Sequence, residues 1–428
     1  MPLALVALAL SAFAIGTTEF LTNGLLSSLA ADFDISVADA GLVTTAYAIG
    51  QMCGPLLALA TLRLPTKRVL VILMVFFTLG NLVASLSPTF TFLLVSRFVT
   101  AWSHTAFFGV ASVAASRLVP RRKQAGAIAL VFTGLSLANV LGMPVGTLTG
   151  QVWGWRGSFL VVTAVSAASL AGIAVLVPAD RDNAAANLRE SLRPFTNARL
   201  WLALAATAIG FGGLFASFTY IEPILTTVTG FSSTDVVWLL AIYGAGLVVG
   251  NWLAGRAADR ALHATTITLL IVLACALTVF AFTAHYRAVT VPMLFLLGAC
   301  GFGLLTPLQT FVLRFSGNES SLVGTANTAA FGAGITLGSL LGATVLNNGG
   351  TFTAVNLSAG AMTLLGLVVY TVAALTDRRS ATVPARVPTA ATPVVLRRGV
   401  VRGRDGAGAP GRLSGGAGAK ADRPGRRS

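Results

Sequence analysis

Residues 13–26 read Phe-Ala-Ile-Gly-Thr-Thr-Glu-Phe-Leu-Thr-Asn-Gly-Leu-Leu, and only Glu19 among them is ionisable. The stretch lies inside the first long apolar run, and no Lys or Arg precedes Arg63. A carboxylate within a membrane-length run costs about 3 kcal/mol on insertion scales, and such groups face protein or a watery cavity rather than lipid. We therefore read the other apolar runs as arranged around a cavity that Glu19 faces.

The 428 residues are 55% hydrophobic and only 10% charged, whereas a soluble chain carries about 25% charged residues. The apolar excess comes as runs of about 20 residues, the length of a membrane-crossing helix. The alternation of barrel strands is absent. We place twelve spans at 3–29, 37–60, 69–87, 90–117, 124–150, 157–177, 200–228, 233–258, 264–284, 288–313, 320–346 and 352–376. The N-terminus lacks a basic region and a cleavage site, so 3–29 is read as span 1 and not as a removable signal. The expected fold is an all-α integral membrane protein of two six-helix halves, residues 1–178 and 200–376. A polar central loop at 179–199 joins them, and a Pro/Gly/Arg-rich tail at 377–428 has the composition of a disordered segment.

The net charge of +15 does not indicate a nucleic-acid partner. From Asp377 onward there are twelve Lys/Arg and three acids, so nine of the fifteen charges sit in the tail. The remainder falls in alternate loops. One side carries Lys67 and Arg68, Arg117 to Lys123, Arg181 to Arg199, Arg256 and Arg260, and Arg314. The other carries Arg156 and Arg287 beside Asp32, Asp34, Asp39 and Asp235. The positive-inside rule makes the basic side cytoplasmic, with both termini and the central loop.

Enzymatic and ATP-driven readings find no support. Lys67, Lys123 and Lys420 are the only lysines, and none sits in a phosphate-binding GxxxxGK[ST]. HExxH, GxSxG and paired metal ligands are missing. Cys53, Cys275 and Cys300 are isolated in apolar runs and read as small packing residues. No cofactor or metal is expected.

An internal repeat supports the two halves. Tyr47, Gly50, Gly54, Leu57 and Ala58 recur as Tyr243, Gly246, Gly250, Leu253 and Ala254, at a constant offset of 196. Parallel repeats about an axis along the membrane normal are a common transporter plan. Asn23 lies one helical turn beyond Glu19, so both could line one polar stripe. Arg97 is the one Lys/Arg placed within a span, and His104 stands two turns along the same face. Glu222 precedes Pro223 near the outer end of span 7. Each of these is read either as part of proton or substrate coupling or as a structurally neutralised polar residue. Gly134, Gly142, Gly146 and Gly150 in span 5 and Gly334, Gly338 and Gly342 in span 11 have the spacing of close helix contacts. Pro144 predicts a bend. Phe107, Phe108, Phe211, Phe215, Phe218 and Tyr220 could floor an apolar site.

The loop Gly250-Asn-Trp-Leu-Ala-Gly255-Arg256-Ala-Ala-Asp259-Arg260 resembles the cytoplasmic signature of the major facilitator superfamily. In the first-half copy, Leu62 replaces the acid and Pro65 the glycine, while Arg63, Lys67 and Arg68 remain. Three further stretches resemble twelve-span drug:proton antiporters of the chloramphenicol-resistance, purine-nucleoside and arabinose efflux branch. These are Gly16-Thr-Thr-Glu-Phe-Leu-Thr-Asn-Gly-Leu-Leu, Arg97 through Ser103-His104-Thr-Ala-Phe-Phe-Gly109, and Gly142-Met-Pro144-Val-Gly146. Phe218-Thr-Tyr220-Ile-Glu222-Pro223 is also close to that branch. Ser27 stands where the branch continues with Leu-Pro.

The resemblance implies a monomeric proton-coupled exporter of a small amphipathic compound in the cell membrane. Chloramphenicol-like antibiotics are the first expectation, and a nucleoside, purine or sugar is the alternative. It assigns gating to Arg63, Arg68, Asp259 and Arg260, and a seal against proton leak to Gly142, Pro144 and Gly146. A non-transporting receptor is disfavoured because Glu19, Arg97 and His104 have no use in an anchor. Deleting residues 380–428 is expected to leave insertion and activity unchanged; a chain that inserts but loses activity in a cell-based assay would refute this reading of the tail.

Overall fold

The computed structural model describes residues 3–60, 64–120, 124–178, 192–316 and 320–381. Arg63, most of the central loop and the tail beyond 381 lie outside the described residues. Within them the chain is helical and no strand occurs. Among the described residues nine helical runs are long and apolar enough to cross a membrane. Two of these, Gly126–Leu176 and Ser233–Thr283, are 51 residues long. They bend at Gly154 (φ 74°) and at Ala261 (φ −150°, ψ 73°), so each supplies two crossings. With Leu42–Ala60 the total is twelve.

Local chemistry explains where several spans start and bend. Ser36, Thr89 and Ser232 cap the acidic-side ends of spans 2, 4 and 8, each side chain accepting from the backbone N–H three residues on. Ser232 and Asp235 complete a reciprocal capping box. Span 1 is α-helical over Leu3–Leu21, tightens to a 3₁₀ turn at Thr22–Gly24 and resumes at Leu26–Phe33. Span 5 widens to a π turn at Ala138–Gly142 just before Pro144. Proline has no N–H for the preceding turn and its ring crowds the carbonyl four residues back. A wide turn is one way a helix absorbs both.

The buried apolar residues form two clusters. One is drawn from residues 4–177. The other is drawn mainly from 200–374, joined by Phe20, Leu26, Ala30, Ala40, Ala48 and Met143. Between apolar helices in lipid, tight packing replaces the hydrophobic drive. The repeat glycines mark it: a Cβ at Gly50 would strike Phe98 and Ala101 of span 4, and one at Gly246 would strike Phe295 of span 10. Spans 2 and 8 thus make equivalent contacts. The span 5 glycines pack on span 1 at Thr17, Leu21 and Leu25, and those of span 11 pack on span 7 at Ala208, Gly212 and Tyr220. Outward-facing Leu56, Phe76, Val95 and Val175 are exposed, as suits a lipid-covered surface.

The hydrogen bonds that join the halves cluster toward the acidic end. Ser27 donates to Glu222 from both N–H (3.0 Å) and hydroxyl (2.7 Å). Thr45 and Ser339 share a 2.7 Å hydrogen bond, Asn347 donates to Asp39 at 3.3 Å, and Gln151 donates to the Ser233 carbonyl. Tyr220 packs its hydroxyl over Gly41 and toward the Ala38 carbonyl. On the same surface Arg156 pairs with Asp32 at 2.7 Å and holds that carboxyl below its ordinary range. The pair's contribution is therefore fully present above the usual aspartate pKa and is lost as pH falls below it through the lowered folded-state value. Both partners are well exposed, so the effect is small.

Gly338→Leu is expected to cost about 1–3 kcal/mol, because its side chain would meet the Gly212 backbone rather than a movable side chain. Thermal unfolding in detergent measures this, with Gly126→Ala, where nothing lies within 4 Å, as the neutral control. Equal stability of the two variants would refute the close-packing account of spans 7 and 11.

Candidate functional site

Between the halves lies a cavity of about 660 Å³. Among the described residues Glu19 is the one carboxylate on its wall, and Gln51 and His104 flank it. The floor is aromatic. Phe20 packs against Phe215, Phe218 and Phe302 with ring centroids 5.6–6.2 Å apart, and Phe211 meets Phe331 at 4.9 Å. From Glu19 the cavity extends toward the basic end, past Asn251, Trp252, Thr306, Gln309 and Thr310.

The carboxylate is held by spans 2 and 4. Gln51 Nε2 donates to Glu19 Oε1 at 2.8 Å, and His104 Nε2 stands 3.9 Å from Oε2. His104 Nδ1 lies 3.1 Å from the Tyr47 hydroxyl and 3.2 Å from Gln51 Nε2. Both neighbours can donate, which assigns Nδ1 as acceptor and leaves the ring proton of neutral His104 on Nε2, toward Glu19. Tyr47 and Gln51 are four residues apart and so share a helix face. Thr105 donates to the Gln51 carbonyl at 3.1 Å, tying span 2 to span 4.

Arg97 is fully buried. Its Nη2 donates to the Thr18 carbonyl at 2.9 Å, and its guanidinium carbon sits 4.1 Å from the centre of the Tyr47 ring. A desolvated cation on an aromatic face is worth about 2 kcal/mol. Thr18 in turn donates its hydroxyl to Asn81 Oδ1 at 2.6 Å. Arg97 and His104 therefore do share a face, and Tyr47 lies against both: ring to one, hydroxyl to the other.

The other expected residues fall elsewhere. Asn23 sits in the 3₁₀ turn, accepts from Thr44 at 2.8 Å and is not on the cavity wall, so it does not extend a stripe from Glu19. Glu222 lies in the acidic-end seam on Ser27, away from the cavity lining. Gly142 and Gly146 face span 1, and Pro144 follows the π turn. Arg68 is exposed in the first turn of Thr66–Ser85. Asp259 and Arg260 are exposed at the Ala261 bend, and no ion pair between described residues involves them. Of the six aromatics singled out, Phe108, Phe211 and Phe215 line the cavity; Phe107, Phe218 and Tyr220 are buried in helix packing.

Two central residues were not singled out for the site from sequence. Tyr47 was noticed only as a repeat position, and Gln51 not at all. The available signal was a glutamine one turn from a tyrosine inside an apolar span, where uncompensated polar groups are costly.

The family model described as Major Facilitator Superfamily matches residues 8–330. The chain is 38% identical over 374 residues to the uncharacterized MFS-type transporter YtbD of Bacillus subtilis (strain 168), covering 86% of this chain and 94% of that protein. It is 32% identical over 353 residues to the chloramphenicol resistance protein of Streptomyces lividans, with 81% and 90% covered. Among solved structures, the nucleoside transporter NupG matches with a TM-score of 0.70 at 14% identity, over 87% of this chain and 99% of that one, a likeness of fold.

Tyr47→Phe is expected to cost about 1 kcal/mol, the net worth of the hydroxyl's hydrogen bond to His104. Tyr47→Leu should cost about 2 kcal/mol more, since Arg97 also loses its aromatic face. Thermal unfolding of the two variants in detergent tests this, and equal losses would show that the ring does not hold the arginine.

Proposed function

The chain belongs to the major facilitator superfamily, which makes it a multi-pass membrane transporter rather than an enzyme, and from that premise we propose that it exports a small amphipathic compound in exchange for protons. The carrying observation is Glu19. Among the described residues it is the one carboxylate on the wall of a cavity otherwise lined by apolar, aromatic and uncharged polar side chains, and Gln51, which donates to it, suits either protonation state. A chloramphenicol-like antibiotic is the first substrate class. The Streptomyces relative's name supports that choice, as does a cavity of about 660 Å³ with aromatic walls and no Lys or Arg among its lining residues.

In this reading the basic end is cytoplasmic, the protein resides in the cell membrane with both termini inside, and the cavity faces the cytoplasm. The halves, 1–178 and 200–376, rock about the cavity. Glu19 deprotonated from the cytoplasm favours substrate; protonated from outside, it favours release and return. Export requires this mutual dependence, because a ligand with no differential affinity between states shifts nothing. Arg97, Tyr47 and His104 orient the carboxylate and provide a path for its proton. Asn23 and the span 5 turn at Gly142, Pro144 and Gly146 keep water from bypassing it. The Ser27–Glu222 contact breaks when the outer end opens, which makes Glu222 a second carboxyl reached from outside. Arg68, Asp259 and Arg260, with Arg63, meet across the basic end when that end closes.

Cells expressing the chain should accumulate less chloramphenicol than empty cells, and a protonophore should abolish the difference; no response to the protonophore would refute proton coupling. Glu19→Gln should insert normally yet lose active efflux, by about tenfold or more. Wild-type efflux by that variant would return Glu19 to a structural role.

A further inference from the structure

The two walls of the cavity on the basic side of Glu19 differ in chemistry. The first-half wall is largely apolar. Phe108 and Phe132 stack with centroids 5.4 Å apart and planes 23° apart, and Leu135 adjoins them; Ser136 and Asn139 are its polar members. The facing wall, from spans 8, 10 and 11, sets Asn251, Thr306, Gln309, Thr310 and Thr328 among apolar Val248, Trp252 and Leu305. None of these is ionisable. Thr306, Gln309 and Thr310 stand at i, i+3 and i+4, so span 10 turns one polar face to the cavity.

These side chains are held by one another and from behind. Thr306 Oγ1 donates to Asn251 Oδ1 at 2.8 Å, and buried Asn327 donates to Gln309 Oε1 at 2.6 Å. Gln309 Nε2 also donates to the Gly324 carbonyl at 3.5 Å, so the carboxamide planes are fixed, and Asn251 Nδ2 is left to the cavity. Polar side chains within a span are expensive unless they meet protein, water or a ligand. Helix packing accounts for the partners behind the strip, but not for its assembly from three helices on one cavity wall. From Phe302 on the floor to Gln309 is seven residues, about 10 Å of helix. That is the length of a compound with one aromatic ring and a short side arm.

We propose that Asn251, Thr306, Gln309 and Thr310 form a subsite for an uncharged hydrogen-bonding arm, a hydroxyl or amide, of substrates whose aromatic body lies against Phe108, Phe132 and Phe302. The inference rests on the exporter reading and narrows its substrate class. A charged arm is disfavoured because the strip offers no counter-ion and the cavity wall would strip its water. A compound lacking the arm is disfavoured because it would cover Asn251 Nδ2, which donates to no described residue, without giving it an acceptor, and sites built on hydrogen bonds discriminate against analogues that lack them.

The test is equilibrium binding to the purified full-length protein in detergent. The probes are chloramphenicol, which carries hydroxyls and an amide beside a nitrophenyl ring, and 4-nitrotoluene, which has the ring alone. Wild type should prefer chloramphenicol by about tenfold or more. The Asn251→Leu/Gln309→Leu double variant should lose most of that preference while binding 4-nitrotoluene at least as well. Thr310→Val, an isosteric change at an exposed position, should reduce the preference a few-fold and guards against a double variant that fails to fold. Glu19→Gln should keep the preference. If the strip variants bind chloramphenicol as wild type does, the subsite is refuted and the exporter reading stands. If wild type binds neither probe, the chloramphenicol-like substrate class and the subsite fall together.

Discussion

The hydrogen bond from Gln51 to Glu19 is the contact on which the centre of the molecule depends. A carboxylate within the membrane needs a partner, and the identity of that partner decides what the carboxylate can do. An arginine in direct contact would lock it in the charged form. A neutral amide offers both a donor and an acceptor and so can serve the charged and the protonated group alike. The chain does contain a buried arginine nearby, but Arg97 is engaged by the Thr18 carbonyl and the Tyr47 ring rather than paired directly with Glu19. Two spans are thereby committed: Tyr47 and Gln51 must lie one turn apart on span 2, and Arg97 and His104 must reach them from span 4.

The second half repeats the scaffold without this frame. Gly246 and Gly250 pack span 8 on span 10 as Gly50 and Gly54 pack span 2 on span 4. At the same offset, however, Gln51 becomes Leu247, and Tyr243 stacks flat on Phe218 with centroids 4.3 Å apart instead of meeting a cation or a histidine. Both walls of the cavity carry aromatic and carboxamide groups, but among the described lining residues the titratable ones, Glu19 and His104, come from the first half.

Much of this architecture was legible in the residues. Apolar run length located the spans, because membrane thickness permits few alternatives. Repeat glycines located the tight helix pairs, because only small residues allow such approach. Glu19, Arg97 and His104 stood out because charge in a span is rare. What sequence could not supply was partner choice. Gln51 carries no charge and meets Glu19 across 32 positions of chain. Asn23 was paired with Glu19 on the assumption of an unbroken helix, but span 1 tightens at Thr22–Gly24 and turns Asn23 to Thr44. Glu222 lies at the acidic end of its span, and its partner Ser27 belongs to the other half, a pairing no local pattern signals.

The π turn in span 5 has a consequence of rotational phase. Small residues every fourth position drift around an α-helix by about 40° per step, since four residues exceed one turn. Over the eight residues from Gly334 to Gly342 the drift is about 80°, which one contact face tolerates. Over the sixteen from Gly134 to Gly150 it would reach about 160°, and the last glycines would point away from span 1. One wide turn at Ala138–Gly142 returns roughly 100° of that drift, and Gly142, Gly146 and Gly150 stay on Thr17, Leu21 and Leu25. The segment acts as a phase corrector, and its wide turn is equivalent to one residue inserted into an α-helix. Losing a single residue there would let the turn close to an ordinary α turn in the same phase, whereas closing the wide turn with all residues kept would rotate Gly142, Gly146 and Gly150 off span 1 by about 100°.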